Sequence, residues 1–530
     1  MLTYLHLENF RAFGEPTHIP LAPITLLFGE NSAGKTSILH ALALLKQTRL
    51  QGDHGRHLVW KDDKGGFDLG SFSELMHDHD VDRRLRIGLG FAENAFYGFA
   101  DNRVDFEPAP MGLEWTFLRD AELKRVFLEE LALDIGGSPG VRAIFERDGE
   151  DPEDPDPMFD HLLWFSRFEG PKSAFEAEAA AWRTAMPRLM KSAKTIAQLP
   201  VDGGPENWPE QAQAFLRDWD VTWDTKQLEA RLGTIWRKLM SLDGRSEGLG
   251  FSVNLFSFSG PFERYFLGVR VAELEAERRY KLPPFERPVV IHRSLYRADE
   301  HIHGAGHRYN LFIDALTPIG PHRVRPPRII DDDGASPDSV GADGRWTANI
   351  LMRDANVLKR VNADLEALQV GYELKIERLD RVRRTGIAEL RLVDNRRKRA
   401  KSVSLSDVGY GIGQLLPILV ELASKQERIL TIEQPELHIH PRLQAEIGTV
   451  FVNAIQRRKQ MLVETHSEHL ILRLRRLVRE GKLKPEDLCV LYVSRGKRGS
   501  VVDRIHIDER GDFLDEWPGG FFPERLNELL

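Results

Sequence analysis

The stretch Ile24-Thr25-Leu26-Leu27-Phe28-Gly29-Glu30-Asn31-Ser32-Ala33-Gly34-Lys35-Thr36-Ser37 decides the fold. An apolar run with the character of a buried strand enters a Gly-x-x-x-x-Gly-Lys-Thr loop, and Ile38, Leu39, Leu42 and Leu45 follow at helical spacing. Strand, glycine loop and helix in this order make a phosphate-binding loop of the Walker A type. Gly29 and Gly34 let the backbone turn its N–H groups toward an anion, and the helix adds the positive end of its dipole. Asn31, Ser32, Ala33 and Ser37 complete the loop. Lys35 is placed to neutralise β- and γ-phosphates, and the Thr36 hydroxyl to ligate Mg²⁺.

Three later stretches belong with this loop. Residues 404–424 put a Ser- and Gly-rich turn at the start of an apolar helix, a second anion-binding helix N-terminus far from the first. Arg428-Ile429-Leu430-Thr431-Ile432-Glu433 reads as a buried strand ending in acid, followed by Gln434-Pro435-Glu436-Leu437-His438-Ile439-His440-Pro441. Val463-Glu464-Thr465-His466-Ser467 closes another short strand.

With Leu7-Glu8-Asn9-Phe10-Arg11-Ala12-Phe13 at the front, the order of these motifs resembles the ABC-type ATPases that include SMC, RecF and the overcoming-lysogenization-defect family. The resemblance implies that ATP and Mg²⁺ are the cofactors, with Mg²⁺ held by Thr36 and Glu433. It makes Ser406 the signature serine, with Gly409 and Gly411 both candidates for its glycine, because Val408 interrupts the usual order. In such enzymes the signature loop of one subunit caps the γ-phosphate on the other, so a head-to-tail homodimer is expected. His466 takes the place of the switch histidine. Arg11 is either a nucleotide contact or an ordinary surface arginine. Gln434 stands where a catalytic glutamate is usual; a glutamine orients water but accepts no proton, so slow hydrolysis is expected unless Glu436 supplies the carboxylate. His438 and His440 sit inside the same run and read as structural.

The expected fold class is α/β: an ABC-type P-loop core, with a mixed sheet, flanking helices and an antiparallel β subdomain, split by a mainly helical insertion. Strands are expected at 86–91, 112–117, 126–135 and 141–147, with a turn at Gly136–Gly140. The acidic, proline-rich run 149–157 marks a boundary, and 160–285 reads as helical but too broken by proline for a long coiled coil. The domain expectation is 1–148 for the N-terminal lobe, 149–287 for the insertion, 288–488 for the C-terminal lobe and 489–530 for a terminal hairpin and tail. A helix is expected over 352–370, with strands at 372–376 and 389–393. Ile319-Gly320-Pro321-His322-Arg323, Glu433-Gln434-Pro435-Glu436 and the tail Trp517-Pro518-Gly519-Gly520-Phe521-Phe522 further resemble a bacterial subgroup of these ATPases with a C-terminal domain of unknown function.

Composition narrows the function. Hydrophobic residues at 42% and charged residues at 29% fit a soluble globular protein, and the single cysteine excludes an intramolecular disulfide. No apolar run approaches membrane-spanning length, and the N-terminus starts at once with strand-like alternation, so a cytoplasmic protein without a signal peptide or membrane partner is expected. A net charge of −8 argues against a basic coat. Local clusters at Arg381–Arg384 and Arg396–Lys401 are either contacts for the backbone of double-stranded DNA or solvated turns, and Arg473, Arg475, Arg476 and Arg479 form a second basic candidate. His292, His301, His303 and His307 invite a metal reading, without the carboxylates or cysteines of a recognised ligand spacing. The resemblance implies ATP-driven dimer closure in DNA maintenance or anti-phage defence, beside a separate effector protein. The competing expectation is an ATP-gated scaffold with negligible turnover. The chain is too short for the Toprim nuclease domain appended in the overcoming-lysogenization-defect enzymes, so no nuclease activity is expected.

Overall fold

The computed structural model describes residues 1–51, 58–61, 66–92, 110–119, 126–135, 138–146, 164–169, 245–247, 309, 311–330, 337–379, 387–396, 402–424, 427–518 and 520. The chain divides into two units, one of Met1–Pro110, Thr116–Phe127 and Arg308–Leu530, the other of Met111–Trp115 and Leu128–His307.

The first unit opens with β1 (Leu2–Glu8), β2 (Thr17–Pro20), β3 (Ile24–Gly29), α1 (Lys35–Gln51) and β4 (Leu85–Phe91). β1 pairs antiparallel with both β2 and β4. Leu5 and Leu7 are buried and His6 between them is not, so the period-2 alternation places one face inward.

β5 (Met111–Arg119) is followed by β6 (Val126–Ile135), β7 (Ser138–Glu146), β8 (Trp164–Glu169) and β9 (Arg245–Glu247). β6 to β9 form an antiparallel ladder in sequence order, the antiparallel sheet expected from the sequence. Ile135 pairs with Ser138, so β7 begins inside the expected turn and only two residues join the strands, the shortest hairpin link. Trp164–Glu169 and Arg245–Glu247 are strands, which corrects the helical reading of these two segments. Aromatic Trp164, Phe165 and Phe168 suit a pleated surface, a preference that the Ala-rich neighbourhood obscured. The remainder of the expected helical insertion and His292, His301, His303 and His307 lie outside the described residues.

The first unit resumes with β10 (Leu316–Ile319), α2 (Thr347–Arg353), α3 (Ala355–Ala367), β11 (Tyr372–Arg378), β12 (Ala388–Asp394), β13 (Ser402–Ser404), α4 (Tyr410–Ala423), β14 (Arg428–Glu433), α5 (Pro441–Ile455), β15 (Lys459–Glu464), α6 (Glu468–Arg479), β16 (Leu488–Gly496) and β17 (Gly499–Ile505). The helix expected over 352–370 is broken at Asp354, whose carboxylate accepts from the N–H groups of Asn356 and Val357 and caps α3.

The central sheet has the order β10-β14-β15-β3-β16-β17; its first five strands are parallel and β17 returns antiparallel. Every position of β14 and β15 is buried, and the apolar residues Ile429, Leu430 and Ile432 of the one and Met461, Leu462 and Val463 of the other fill their middles. Leu26, Ile432 and Val463 of the sheet share a core with Leu415 and Leu419 of α4, Phe451 of α5 and Leu474 of α6. The small antiparallel sheet β11-β12-β13 adds Leu374, Leu390 and Leu392 to the same core. Trp517 packs edge-on against Phe28 and Tyr492, so the start of the tail docks on the core. Parallel pairing brings the carboxyl ends of β10, β14, β15 and β3 to one edge, where ligands of open α/β sheets bind. Among the described residues no helix is long and apolar enough to cross a membrane.

Candidate functional site

The loop after β3 has the shape its glycines foretold. Gly29, Ser32 and Gly34 have φ of 135°, 58° and 105°. A side chain at Gly29 would collide with the Val493 carbonyl of β16, and one at Gly34 would come within 2.6 Å of Ser500 Oγ. Ser500 also braces the loop directly, its hydroxyl donating to the Ala33 carbonyl at 2.6 Å. Asn31 and Ser32 are exposed, whereas Ala33 and Ser37 are buried. Lys35 folds back over the loop, Nζ donating to the carbonyls of Gly29 at 3.0 Å and Glu30 at 2.7 Å. Burial lowers its pKa, against the pull of Glu464 and Glu30.

Two acids converge on this loop from neighbouring strand ends. Glu433 ends β14 and Glu464 ends β15, side by side in parallel register. The Thr36 hydroxyl donates to Glu464 Oε2 at 2.7 Å. Burial, then the charge of Glu464, pushes Glu433 up to about 7. Burial also raises Glu464, opposed by the Thr36 bond and by Lys35. Two buried carboxylates beside a hydroxyl and a lysine are poor company for one another and good company for a divalent cation. Among the described residues no three His, Cys, Asp or Glu side chains are grouped to hold a metal unaided. This donor set therefore suits Mg²⁺ that is held jointly with phosphate oxygens, the usual habit of this ion.

Gln434 follows Glu433 with φ of 44°, its N–H donating to the Glu464 carbonyl at 2.8 Å. Glu436 is fully engaged: Oε2 accepts from the Thr465 hydroxyl at 2.8 Å and Oε1 from the His466 N–H at 2.7 Å. It thus clamps the turn that carries His466. The His466 ring is exposed, and partial burial and the charge of Lys35 lower its pKa.

Arg11 lies in the left-handed region, φ 49°, and turns toward α1. Its Nη1 donates to His40 Nδ1 at 2.5 Å and its Nη2 to the Leu69 carbonyl at 3.0 Å. Burial and Arg11 push His40 down to about 4, so the ring is neutral at pH 7. With Nδ1 accepting, the proton sits on Nε2, 3.8 Å from Glu433 Oε1. Arg11 therefore holds an imidazole whose Nε2 lies near the acidic pair.

The signature candidates occupy a separate place. Ser406 donates to the Pro326 carbonyl at 3.3 Å, Asp407 pairs with Arg328, and Gly409 caps α4 facing open space. A side chain on Gly411 would meet the His438 carbonyl at 2.8 Å. No hydrogen bond or ion pair among the described residues joins Ser406, Gly409 or Gly411 to residues 29–37.

Of the basic clusters, Arg381–Arg384 and Arg397–Lys401 lie outside the described residues. Arg396 pairs with Asp394 at 2.8 Å and stacks over Tyr372 at 4.8 Å. The α6 arginines are spent internally: Arg473 on Glu446, Arg475 and Arg479 on Asp512, Arg476 on Glu480. Reading the sequence passed over Glu464 and His40. The signal for Glu464 was an acid directly after the apolar Met461, Leu462 and Val463; for His40 it was helical spacing from Thr36.

A phosphate loop backed by acids on two adjoining parallel strands defines a P-loop ATPase. Residues 1–133 match the family described as "AAA ATPase domain". Residues 269–473 match "AAA domain, putative AbiEii toxin, Type IV TA system", and residues 483–530 match "Protein of unknown function (DUF3696)". Two segments of the chain thus match AAA ATPase families, and the DUF3696 match follows them toward the C-terminal side. None of the curated proteins compared with it is similar in sequence. Among solved structures it is similar to an SMC head bound to the C-winged helix domain of ScpA, with 10% identity, 96% of this chain and 98% of that one covered, and a TM-score of 0.38. It is also similar to the SMC head domain from Thermotoga maritima, with 11% identity, coverage of 96% and 99%, and a TM-score of 0.35. A third is an SMC head domain with an extended coiled coil, bound to the C-terminal domain of ScpA derived from Pyrococcus furiosus, with 10% identity, coverage of 95% and 96%, and a TM-score of 0.37.

Proposed function

We propose that the chain binds ATP with Mg²⁺ at the phosphate loop and hydrolyses it, and that two copies close head-to-tail over two nucleotides. The observation that carries the ATP–Mg²⁺ reading is the Thr36 hydroxyl on Glu464, beside Glu433, at the mouth of the Lys35 loop. Thr36 and Glu433 would hold Mg²⁺, which when bound would neutralise charge on the phosphates.

Residues of the chain do the rest. Lys35 exchanges two loop carbonyls for phosphate oxygens, and the N–H groups around Gly29 and Gly34 complete the cradle. Gln434 orients the attacking water. Glu464 is the carboxylate placed to receive the water's proton, while Glu436 acts by holding Thr465 and His466 so that the imidazole meets the terminal phosphate. Ser406 and the N-terminus of α4 serve the nucleotide of the opposite subunit. Closure and opening of the dimer act on DNA, drawn to the basic clusters 381–384 and 396–401, or on a separate effector protein. The family description naming an AbiEii toxin favours a setting in cell defence.

The test is steady-state ATP hydrolysis with Mg²⁺, with and without duplex DNA, alongside sedimentation with ATP. Lys35→Ala and Glu464→Gln should each reduce turnover by about a hundredfold or more, and Glu436→Gln by less. ATP should convert monomer to dimer. Wild-type turnover equal to that of Lys35→Ala would refute the enzymatic reading. Gln434 favours one alternative, an ATP-gated scaffold for an effector, which ATP-dependent dimerisation without turnover would identify.

A further inference from the structure

Arg323 stands outside every role given so far. It lies four residues beyond β10, whose parallel register sets Ile319 beside Ile432 of β14. The loop after β10 thus emerges at the same sheet edge as Glu433. Its backbone is held at three points: the Gly320 N–H donates to the Ala342 carbonyl and the Val324 N–H to the Asp343 carbonyl, both at 2.8 Å. The Gln414 side chain of α4 donates to the Arg323 carbonyl at 2.7 Å. Held in this way, the arginine turns inward and is only 2% exposed.

The guanidinium is poorly satisfied where it lies. Nη2 donates to the main-chain carbonyl of Glu433 at 2.5 Å, while Nε and Nη1 have no hydrogen-bond partner among the described residues. The anions acting on it are Glu436 and then Glu433. Glu436, however, is already committed to Thr465 and His466. A buried cation with two idle nitrogens is costly, and idle buried donors mark places where a ligand supplies the acceptors. A guanidinium presents its donors as a planar fork that fits phosphate oxygens.

We infer that Arg323 is a substrate-binding residue whose free Nε and Nη1 donors receive the terminal phosphate of ATP, so that it distinguishes ATP from ADP. The inference rests on the proposed ATP site and adds to it a cation from the β10 edge, opposite Lys35. Gln414 positions it, which ties the helix opened by the signature loop to the chain's own nucleotide.

Equilibrium binding of ADP and of a non-hydrolysable ATP analogue, both with Mg²⁺, tests it on the full chain and on Arg323→Met, Arg323→Lys and Lys35→Ala. Arg323→Met should weaken the ATP analogue about tenfold or more and leave ADP within about twofold, since only ATP carries the phosphate concerned. Arg323→Lys keeps a charge without the fork and should recover part of the difference. Retained ADP binding certifies that a variant is folded; should Arg323→Met be insoluble, Arg323→Lys must still show a selective loss for the ATP analogue. Equal losses for both nucleotides, or none for either, would overturn the inference and leave Arg323 a brace for β14. Lys35→Ala binding both nucleotides as tightly as wild type would remove the ATP site itself, and the inference with it.

Discussion

Replacing Glu433 by glutamine should stabilise the nucleotide-free protein while removing its activity. Glu433 is 7% exposed, and burial followed by the Glu464 charge lifts its pKa from 4.5 to about 7. A native pKa above the unfolded one means that the stability present below pH 4.5 is lost as the pH rises through 7. At about 1.4 kcal/mol per pH unit, the cost is about 3 kcal/mol at pH 8 and about 1 kcal/mol at pH 5. Glutamine keeps the shape and removes the charge, so the variant should recover most of this cost at pH 8 and little at pH 5. Urea unfolding followed by tryptophan fluorescence, at pH 5, 6, 7 and 8 for both proteins, measures the difference. The expected gain grows with pH, and Glu464→Gln should give a smaller one, because the Thr36 hydrogen bond and Lys35 already offset part of the burial of Glu464. Mg²⁺ with nucleotide should shrink the gain by stabilising only the wild type. No gain at pH 8, or an equal gain at pH 5 and pH 8, would show that the acidic pair carries no such strain.

Other expectations follow from single contacts. Gly34→Ala forces a φ of 105° on a side chain that Ser500 Oγ and Ala12 Cβ leave no room for, and should weaken nucleotide binding at least tenfold in a calorimetric titration. Cys489, buried and with burial pushing its thiol up to about 11, should resist a thiol reagent at pH 8 until denaturant is added; rapid labelling of the folded protein would contradict its placement. Trp517→Ala removes the ring packed on Phe28 and Tyr492 and should lower stability by about 2 kcal/mol, read as a lower urea midpoint.

What the sequence made legible was what local chemistry dictates. The Gly-x-x-x-x-Gly-Lys-Thr spacing demands one backbone shape, and the largely apolar 429–432 and the apolar 461–463 read as buried strands. Arg323 and His40 were not legible as site residues, because their partners lie 110 and 393 positions away in Glu433 and only the sheet register brings them together. Glu436 looked like a free carboxylate, since its bonds to Thr465 and His466 cross between two strand ends. The arginines of α6 looked like a basic surface until Glu446, Glu480 and Asp512 came into place. Strands β8 and β9 went unread because Arg245–Glu247 has only three residues and its partner is 76 positions away, the distance from Glu169 to Arg245.

The position of β3 has a consequence for how the protein is made. Its two sheet neighbours are β15 and β16, so the strand that feeds the phosphate loop has neither until 435 residues have been added, the separation of Ile24 from Lys459. At about 5–20 residues per second, that is a wait of roughly 20 to 90 seconds on the ribosome with an apolar strand unpaired. ATP cannot assist the newborn chain during this interval, because Val493 and Ser500, which wall the loop, arrive later still. Nucleotide binding thereby waits on synthesis past Ser500. A product cut before residue 483 would carry every nucleotide motif intact and yet lack the wall against which the loop is shaped.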